Sequence, residues 1–237
     1  MSHSMTSLGL TLALIIGFSS GWMMMASTTS SSNNILKSKP VLVIGGTGRV
    51  GRAIVPKLIK QGFSVRVLCR NIVAARELSE LKDADLREGD VCNMDSLVAA
   101  TVDCSAVVDV HGMKPSRFAK ITDLFNHPRN IPYHPYNVNY LGVKRILAAM
   151  EINKVSKIVR ITGAFVDKSA FSPLRVLFNV LLSMTSAWHE ASEIAIRNSG
   201  LDYTVIRPTE IVNETSLVCC FEYSDQHHIY CAQEKEM

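Results

Sequence analysis

The chain has 237 residues, 47% of them hydrophobic, which is enough for one substantial core and too little for two full-sized domains once an N-terminal leader is set aside. A net charge of +4, with Lys and Arg scattered, gives no nucleic-acid footprint, and no internal repeat is visible. The six cysteines show neither the spacing of zinc or redox motifs nor the density of a disulfide scaffold, so free thiols are expected.

Residues 1 to 36 carry no Asp, Glu, Lys or Arg, and Leu8 to Phe18 has the length of a signal-peptide core. A Ser/Thr-rich, acid-free segment follows, then Lys37 and Lys39. The pair resembles the two-part leader that sends proteins to plastids through the secretory route. A simple signal peptide or an N-terminal membrane anchor is the alternative, and membrane contact is expected only through an uncleaved leader. Residues 1–37 are therefore read as a targeting leader, 38–215 as the folded domain and 216–237 as an atypical tail.

Val41 to Ile44, four apolar residues, reads as a strand running into Gly45-x-x-Gly48-x-x-Gly51, and apolar positions at helical spacing follow from Val50. Strand, tight turn and helix in this order suit a dinucleotide: the turn needs Gly45, the pyrophosphate needs close approach at Gly48, and the helix packs on the sheet at Gly51. Thr47, Arg49 and Val50 complete the candidate phosphate turn, with the helix dipole facing the anion. The helix should stop at Gly62, and Pro56 inside it should cost stability or impose a kink.

Ser64 to Leu68 is the second strand. Where an NAD-binding protein usually carries a carboxylate for the ribose 2′-hydroxyl, this chain has Arg70, which suits a 2′-phosphate, and Arg49 and Arg52 could add to the same charge. NADP is thus expected over NAD. Asn71 to Glu80 reads as a helix, Ala84 to Arg87 as a strand leading to Gly89-Asp90-Val91, Met94 to Ala100 as a helix, and Asp103 to Val110 as a strand ending at His111. Continued β/α alternation predicts a doubly wound parallel sheet with right-handed crossovers.

Residues 113 to 135, with four prolines, His127 and His134, read as a long loop near the substrate side or as a surface insertion. Tyr136 to Asn153 is predicted helical, Lys157 to Thr162 a strand, 174–184 a buried apolar helix or a lid, Trp188 to Asn198 a helix and Asp202 to Arg207 the sixth strand.

These pieces together resemble the atypical short-chain dehydrogenase/reductase family, in its NAD(P)H-binding, NmrA-like branch. The residues that carry the likeness are Gly45 to Gly51, Arg70-Asn71, Gly89-Asp90-Val91, Val138 to Val143 and Ser199 to Pro208. The resemblance implies a Rossmann core, with Asp90 and Val91 near the adenine and Arg70 near the 2′-phosphate.

Tyr140-x-x-x-Lys144 has the catalytic spacing of the wider superfamily but precedes the fifth strand, where a packing role is expected. His189, four residues before Glu193, and Thr162 at a strand end are the candidate catalytic pair. Cys219, Cys220, His227, His228 and Cys231 match no common ligand spacing, so no metal is expected. The C-terminus departs from the family pattern, and a shortened substrate region is expected. Two functions remain open: reduction of a small, partly apolar carbonyl or alkene with NADPH, or a non-catalytic NADP(H)-binding module that senses redox state or assists complex assembly. The partner is accordingly a small-molecule substrate or a protein.

Overall fold

A computed structural model describes residues 38–113, 134–163, 185–208, 218–223 and 229–233. The expected leader, most of the proline-rich loop including His127, and the apolar stretch at 174–184 lie outside the described residues. So do His227 and His228.

Strand β1 (Val41–Ile44) is buried at every position and stands at the centre of one sheet. To one side are β2 (Val65–Cys69) and β3 (Asp85–Glu88). To the other are β4 (Ala106–Asp109), β5 (Lys157–Ile161) and β6 (Asp202–Pro208). All six are parallel, in the order β3-β2-β1-β4-β5-β6. This is the doubly wound Rossmann arrangement expected from the alternation. Two further strands, β7 (Val218–Tyr223) and β8 (Ile229–Gln233), extend the sheet antiparallel beyond β6.

Alternate residues of each strand feed two cores, because successive side chains point to opposite faces. On one face Val41, Val43, Val65, Val67 and Val108 pack against α1 (Arg49–Lys60) and α2 (Ile72–Arg76). On the other, Leu42, Ile44, Val107, Ile158 and Val205 pack against α3 (Met94–Thr101), α4 (Gly142–Ile152) and α5 (Thr185–Arg197).

Helix α1 runs through Pro56 without interruption and stops where expected: Gly62 takes φ +84°, and the Gly62 and Phe63 amides donate to Ile59 and Leu58. The segment after β2 differs from its prediction. The single helix expected over Asn71 to Glu80 is a short α2, capped by the Asn71 side chain accepting from the Ala74 amide (2.9 Å), and a separate 3₁₀ turn at Ser79–Leu81. Strand β4 starts three residues later than predicted because Asp103 adopts the left-handed conformation, φ 58°, which turns the chain out of α3. The helix expected from Tyr136 opens with a π-helical turn, Tyr136–Leu141, before α4. His134 starts that turn: its carbonyl accepts from the Asn137 and Val138 amides, and its Nδ1 from the Tyr136 amide (3.1 Å).

Candidate functional site

The strand order reverses between β1 and β4, so the crevice for a ligand opens at the carboxyl ends of these two strands. Gly45 closes β1 and His111 follows β4, and they touch: a Cβ on Gly45 would sit 2.7 Å from the His111 backbone. Gly45 also has φ +86°. At Gly51 a Cβ would lie 2.4 Å from Gly45 O and Gly46 Cα, which are backbone atoms that cannot swing away. The turn is held by the Gly48 amide donating to the Gly45 carbonyl (3.0 Å).

Gly48 is the N-cap of α1, with no side-chain cap and no acidic residue in the first turn. A Ser, Thr, Asp or Asn there would fill one of the free first-turn amides with its side-chain oxygen. An uncapped, acid-free N-terminus behind a glycine turn fits a phosphate, so these residues fit a bound dinucleotide. Thr47 and Arg49 are exposed on the turn, and Val50 packs partly against the core.

The ends of β2 and β3 carry Arg70 and Asp90, the residues expected from the sequence to face the ribose and adenine. Arg70 is exposed immediately after β2. Burial and then Asp90 push the Cys92 thiol up, while Arg145 and, more weakly, Arg70 pull it down, which sets Arg70 in the neighbourhood of Asp90 and Cys92. One Asp90 oxygen already accepts from the Cys92 amide (2.8 Å), and the Asp90 carbonyl accepts from Ser96 Oγ (3.0 Å). Val91 packs against Gly142, where an added Cβ would be 3.3 Å from Val91 Cγ2 and 3.4 Å from His111 Nε2. Arg52, proposed from sequence to add positive charge here, instead pairs with Glu80 at 3.5 Å.

Next to the glycine turn lies a buried polar layer that sequence reasoning missed. Asp109 and Arg160 are both fully buried and stand opposite each other in register on β4 and β5. Arg160 Nη1 donates to Asp109 Oδ2 (2.7 Å) and to the His111 carbonyl (3.0 Å). His111 Nδ1 contacts Asp109 Oδ1, and His111 Nε2 donates to the Val138 carbonyl (2.9 Å) in the π-helical turn. Burial alone would raise the Asp109 carboxyl, but Arg160 and His111 outweigh it and hold it below the usual carboxylate range. Asp109 closing the apolar run Ala-Val-Val, and Arg160 directly after the apolar Ile-Val, were the available signal.

The two candidate catalytic residues fall into adjoining parts of this layer. His189 Nε2 lies 3.4 Å from Asn139 Nδ2, so the ring accepts there and carries its proton on Nδ1. Burial first, then the Arg160 charge and His111, push the His189 imidazole down to about 3, with Asp109 pulling the other way. The expected proton donation by an imidazolium near neutral pH is therefore replaced by a neutral ring with an N–H donor.

Thr162 Oγ1 donates to Glu193 Oε1 (2.8 Å) and more weakly to the Ile206 carbonyl (3.4 Å). Glu193 is fully buried and is held by Arg207 through Nε (3.1 Å) and Nη2 (2.5 Å) and by Arg197 (2.9 Å). Thr162 thus fastens α5 to the sheet. Lys144 Nζ lies over the Tyr140 ring, 5.9 Å from its centroid, and Tyr140 stacks on Trp188 at 6.0 Å. That is packing, as the position before the fifth strand suggested.

Fold and site together define a Rossmann protein with a glycine-turn dinucleotide crevice. A family model described as NAD(P)H-binding matches residues 45–227, and the chain belongs to this family, within the atypical short-chain dehydrogenase/reductases. Among its relatives are protein TIC 62 of Arabidopsis thaliana chloroplasts, 27% identical, and the photosystem II assembly factor Ycf39 of Cyanophora paradoxa, 29% identical. The matches cover 81% of this chain and 30% of the first, and 70% of this chain and 44% of the second. The chloroplast divinyl chlorophyllide a 8-vinyl-reductase of Cucumis sativus is 27% identical over 73% of this chain and 39% of its own length. The chain spans less than two thirds of the length of the curated relatives it matches. The enzyme WbmH of Bordetella bronchiseptica, solved with NAD+, shares the fold with a TM-score of 0.54 at 19% identity, covering 72% of this chain and 56% of its own. The cofactor class is a nicotinamide dinucleotide.

Proposed function

We propose that the chain is an NADP(H)-dependent reductase of a plastid, acting on a small, partly apolar carbonyl or alkene substrate. The observation that carries this reading is the buried layer of Asp109, His111, Asn139, Arg160 and His189 directly against the glycine turn, with donors facing no protein acceptor among the described residues. A fold that merely held a nucleotide would not need such groups beside it. The chloroplast names of several relatives and the leader composition support the plastid.

In this reading Gly45, Thr47, Gly48, Arg49, Val50 and Gly51 receive the pyrophosphate, Arg70 the 2′-phosphate, and Asp90 with Val91 the adenosine. The bound cofactor supplies hydride chemistry. His189 offers Nδ1–H to a substrate oxygen. Asn139 fixes the ring tautomer, and Thr162, through Glu193, fixes the helix that carries His189.

A second reading, a non-catalytic NADP(H)-binding redox sensor or assembly module, is favoured by the commitment of the Thr162 hydroxyl to Glu193 and by the names of the TIC 62 and Ycf39 relatives. Calorimetric titration of the full chain with NADPH and NADH, followed by turnover on a carbonyl and enone panel, separates the two. Reductase function requires tight NADPH binding, weakened at least about tenfold by Arg70→Ala with little change for NADH, and NADPH consumption that falls in His189→Gln. Binding without turnover on any substrate would favour the sensor. Absence of binding to either nucleotide would refute both.

A further inference from the structure

The polar layer contains two buried arginines, and they differ in one respect. On Arg207 the Nε and Nη2 edge of the guanidinium is filled by the Glu193 carboxylate, at 3.1 Å and 2.5 Å. On Arg160, which is fully buried, all three polar contacts are made by Nη1, and the same Nε and Nη2 edge has no partner among the described residues. His189 Nδ1 and Asn139 Oδ1, in the same cluster, are also buried and unpartnered among the described residues. Orphan polar atoms are uncommon in folded proteins, and a group of them in one place marks missing ligand atoms or water. Leaving charged donors buried and unmet is costlier still.

We infer that the Nε and Nη2 edge of Arg160, in the buried cluster that also holds the unpartnered His189 Nδ1, is a subsite for a carboxylate carried by the substrate. The inference rests on the reductase reading only for the word substrate; the subsite itself is independent of turnover. Three features specify the ligand. The edge presents two parallel N–H donors, which match the two oxygens of a planar carboxylate, and Glu193 on Arg207 shows the same pairing realised in the same layer. His189 carries a third donor, since its Nε2 is turned to Asn139. The Asp109 carboxylate is already shared between Arg160 and His111, so it cannot also neutralise the open edge.

The location is also suitable. His111, bound to Arg160, touches Gly45 of the nucleotide turn, so a carboxylate here would place the rest of its molecule beside the cofactor crevice. Among the described residues, a Cβ on Gly112 would meet nothing within 4 Å, and one on Gly163 would meet His189 Cδ2 at 3.9 Å, so the two strand ends beside the cluster are not filled by those residues. A neutral carbonyl oxygen, with its two lone pairs, would accept from the edge without supplying a charge. Bound water would meet the donors without the charge.

The test measures binding of benzoate and 3-phenylpropanoate, and of their methyl esters, to the full chain in the presence of NADP+, by calorimetry and ligand-detected NMR. At least one acid is expected to bind at least tenfold tighter than its ester. Arg160→Lys keeps the charge and loses the fork, and should remove that preference. His189→Gln leaves the Asp109–Arg160 pair intact and should weaken the acid several-fold, which keeps the site testable if Arg160→Lys does not fold. Equal binding of acid and ester, no binding of either acid, or acid binding unchanged in both variants would overturn the subsite. NADPH affinity measured on the same samples reports separately on the cofactor reading, so loss of one result is not mistaken for loss of the other.

Discussion

His189 illustrates how a single position changes meaning between sequence and fold. In isolation an imidazole titrates near neutral pH, but on α5 it is placed beside Arg160 and His111, and its pKa falls to about 3. Because the folded value lies below the unfolded one, the unfolded chain binds the extra proton as pH drops from about 6.5 towards 3, and stability is lost over that window. The slope from this residue reaches at most about 1.4 kcal/mol per pH unit. Denaturant unfolding at pH 7, 6, 5 and 4.5 should therefore show a decline that is shallower in His189→Gln; parallel declines would show that the ring is not held neutral.

Asp109 shifts in the same direction from a different cause, burial being outweighed by the Arg160 and His111 charges, and with the same direction of effect. Its folded value is lowered, so its contribution is complete above about pH 3.9 and erodes as pH falls below that. Asp109→Ala leaves Arg160 buried without its carboxylate and should destabilise by about 3–5 kcal/mol. A loss under 1 kcal/mol in urea unfolding would mean that the pair is solvated. Gly51 is limited by space rather than charge: Gly51→Ala puts a methyl 2.4 Å from backbone atoms of the turn and should weaken NADPH at least about tenfold in calorimetry.

At the scale of elements, local chemistry sets most boundaries. Asn93 caps α3 by accepting from the Asp95 (3.0 Å) and Ser96 (3.2 Å) amides. Helix α4 ends in a Schellman motif, with the Val155 amide donating to the Met150 carbonyl (2.8 Å) and the Lys154 amide to that of Glu151 (3.2 Å). Lys154 occupies the left-handed position at φ 56°, which glycine adopts without penalty. Lys154→Gly is thus expected to stabilise by up to about 1 kcal/mol, seen as a higher urea midpoint with an unchanged slope. A lower midpoint would show that the lysine side chain contributes more than its backbone costs.

Arg66 shows an element boundary set from a distance. It reaches from β2 to the Ala100 (2.9 Å) and Val102 (2.8 Å) carbonyls at the end of α3 and pairs with Asp85 on β3 (2.9 Å). Nothing in the local sequence of α3 announces that its last carbonyls are met by a residue 34 positions earlier.

For the whole molecule, the crevice lies where β1 and β4 part, so nucleotide binding should stabilise the whole sheet rather than one loop. NADPH at one hundred times its dissociation constant should add about 2.7 kcal/mol. In a domain of this size that corresponds to a rise of roughly 5–10 °C in Tm, and no rise would mean that the folded state does not prefer the nucleotide.

The order of elements, the glycine turn and the division of the strands between two cores were determined by the sequence itself. They rest on periods of two and 3.6 residues and on glycines whose need is local. The left-handed Asp103, the π-helical turn from Tyr136 and the split after Asn71 were seen only in the structure, because no residue type in those stretches demands them locally. The same holds for the polar layer. Asp109 and Arg160 are 51 residues apart and meet only because β4 and β5 are adjacent in register. The nucleotide turn is a property of seven consecutive residues, whereas the chemistry beside it is a property of strand order.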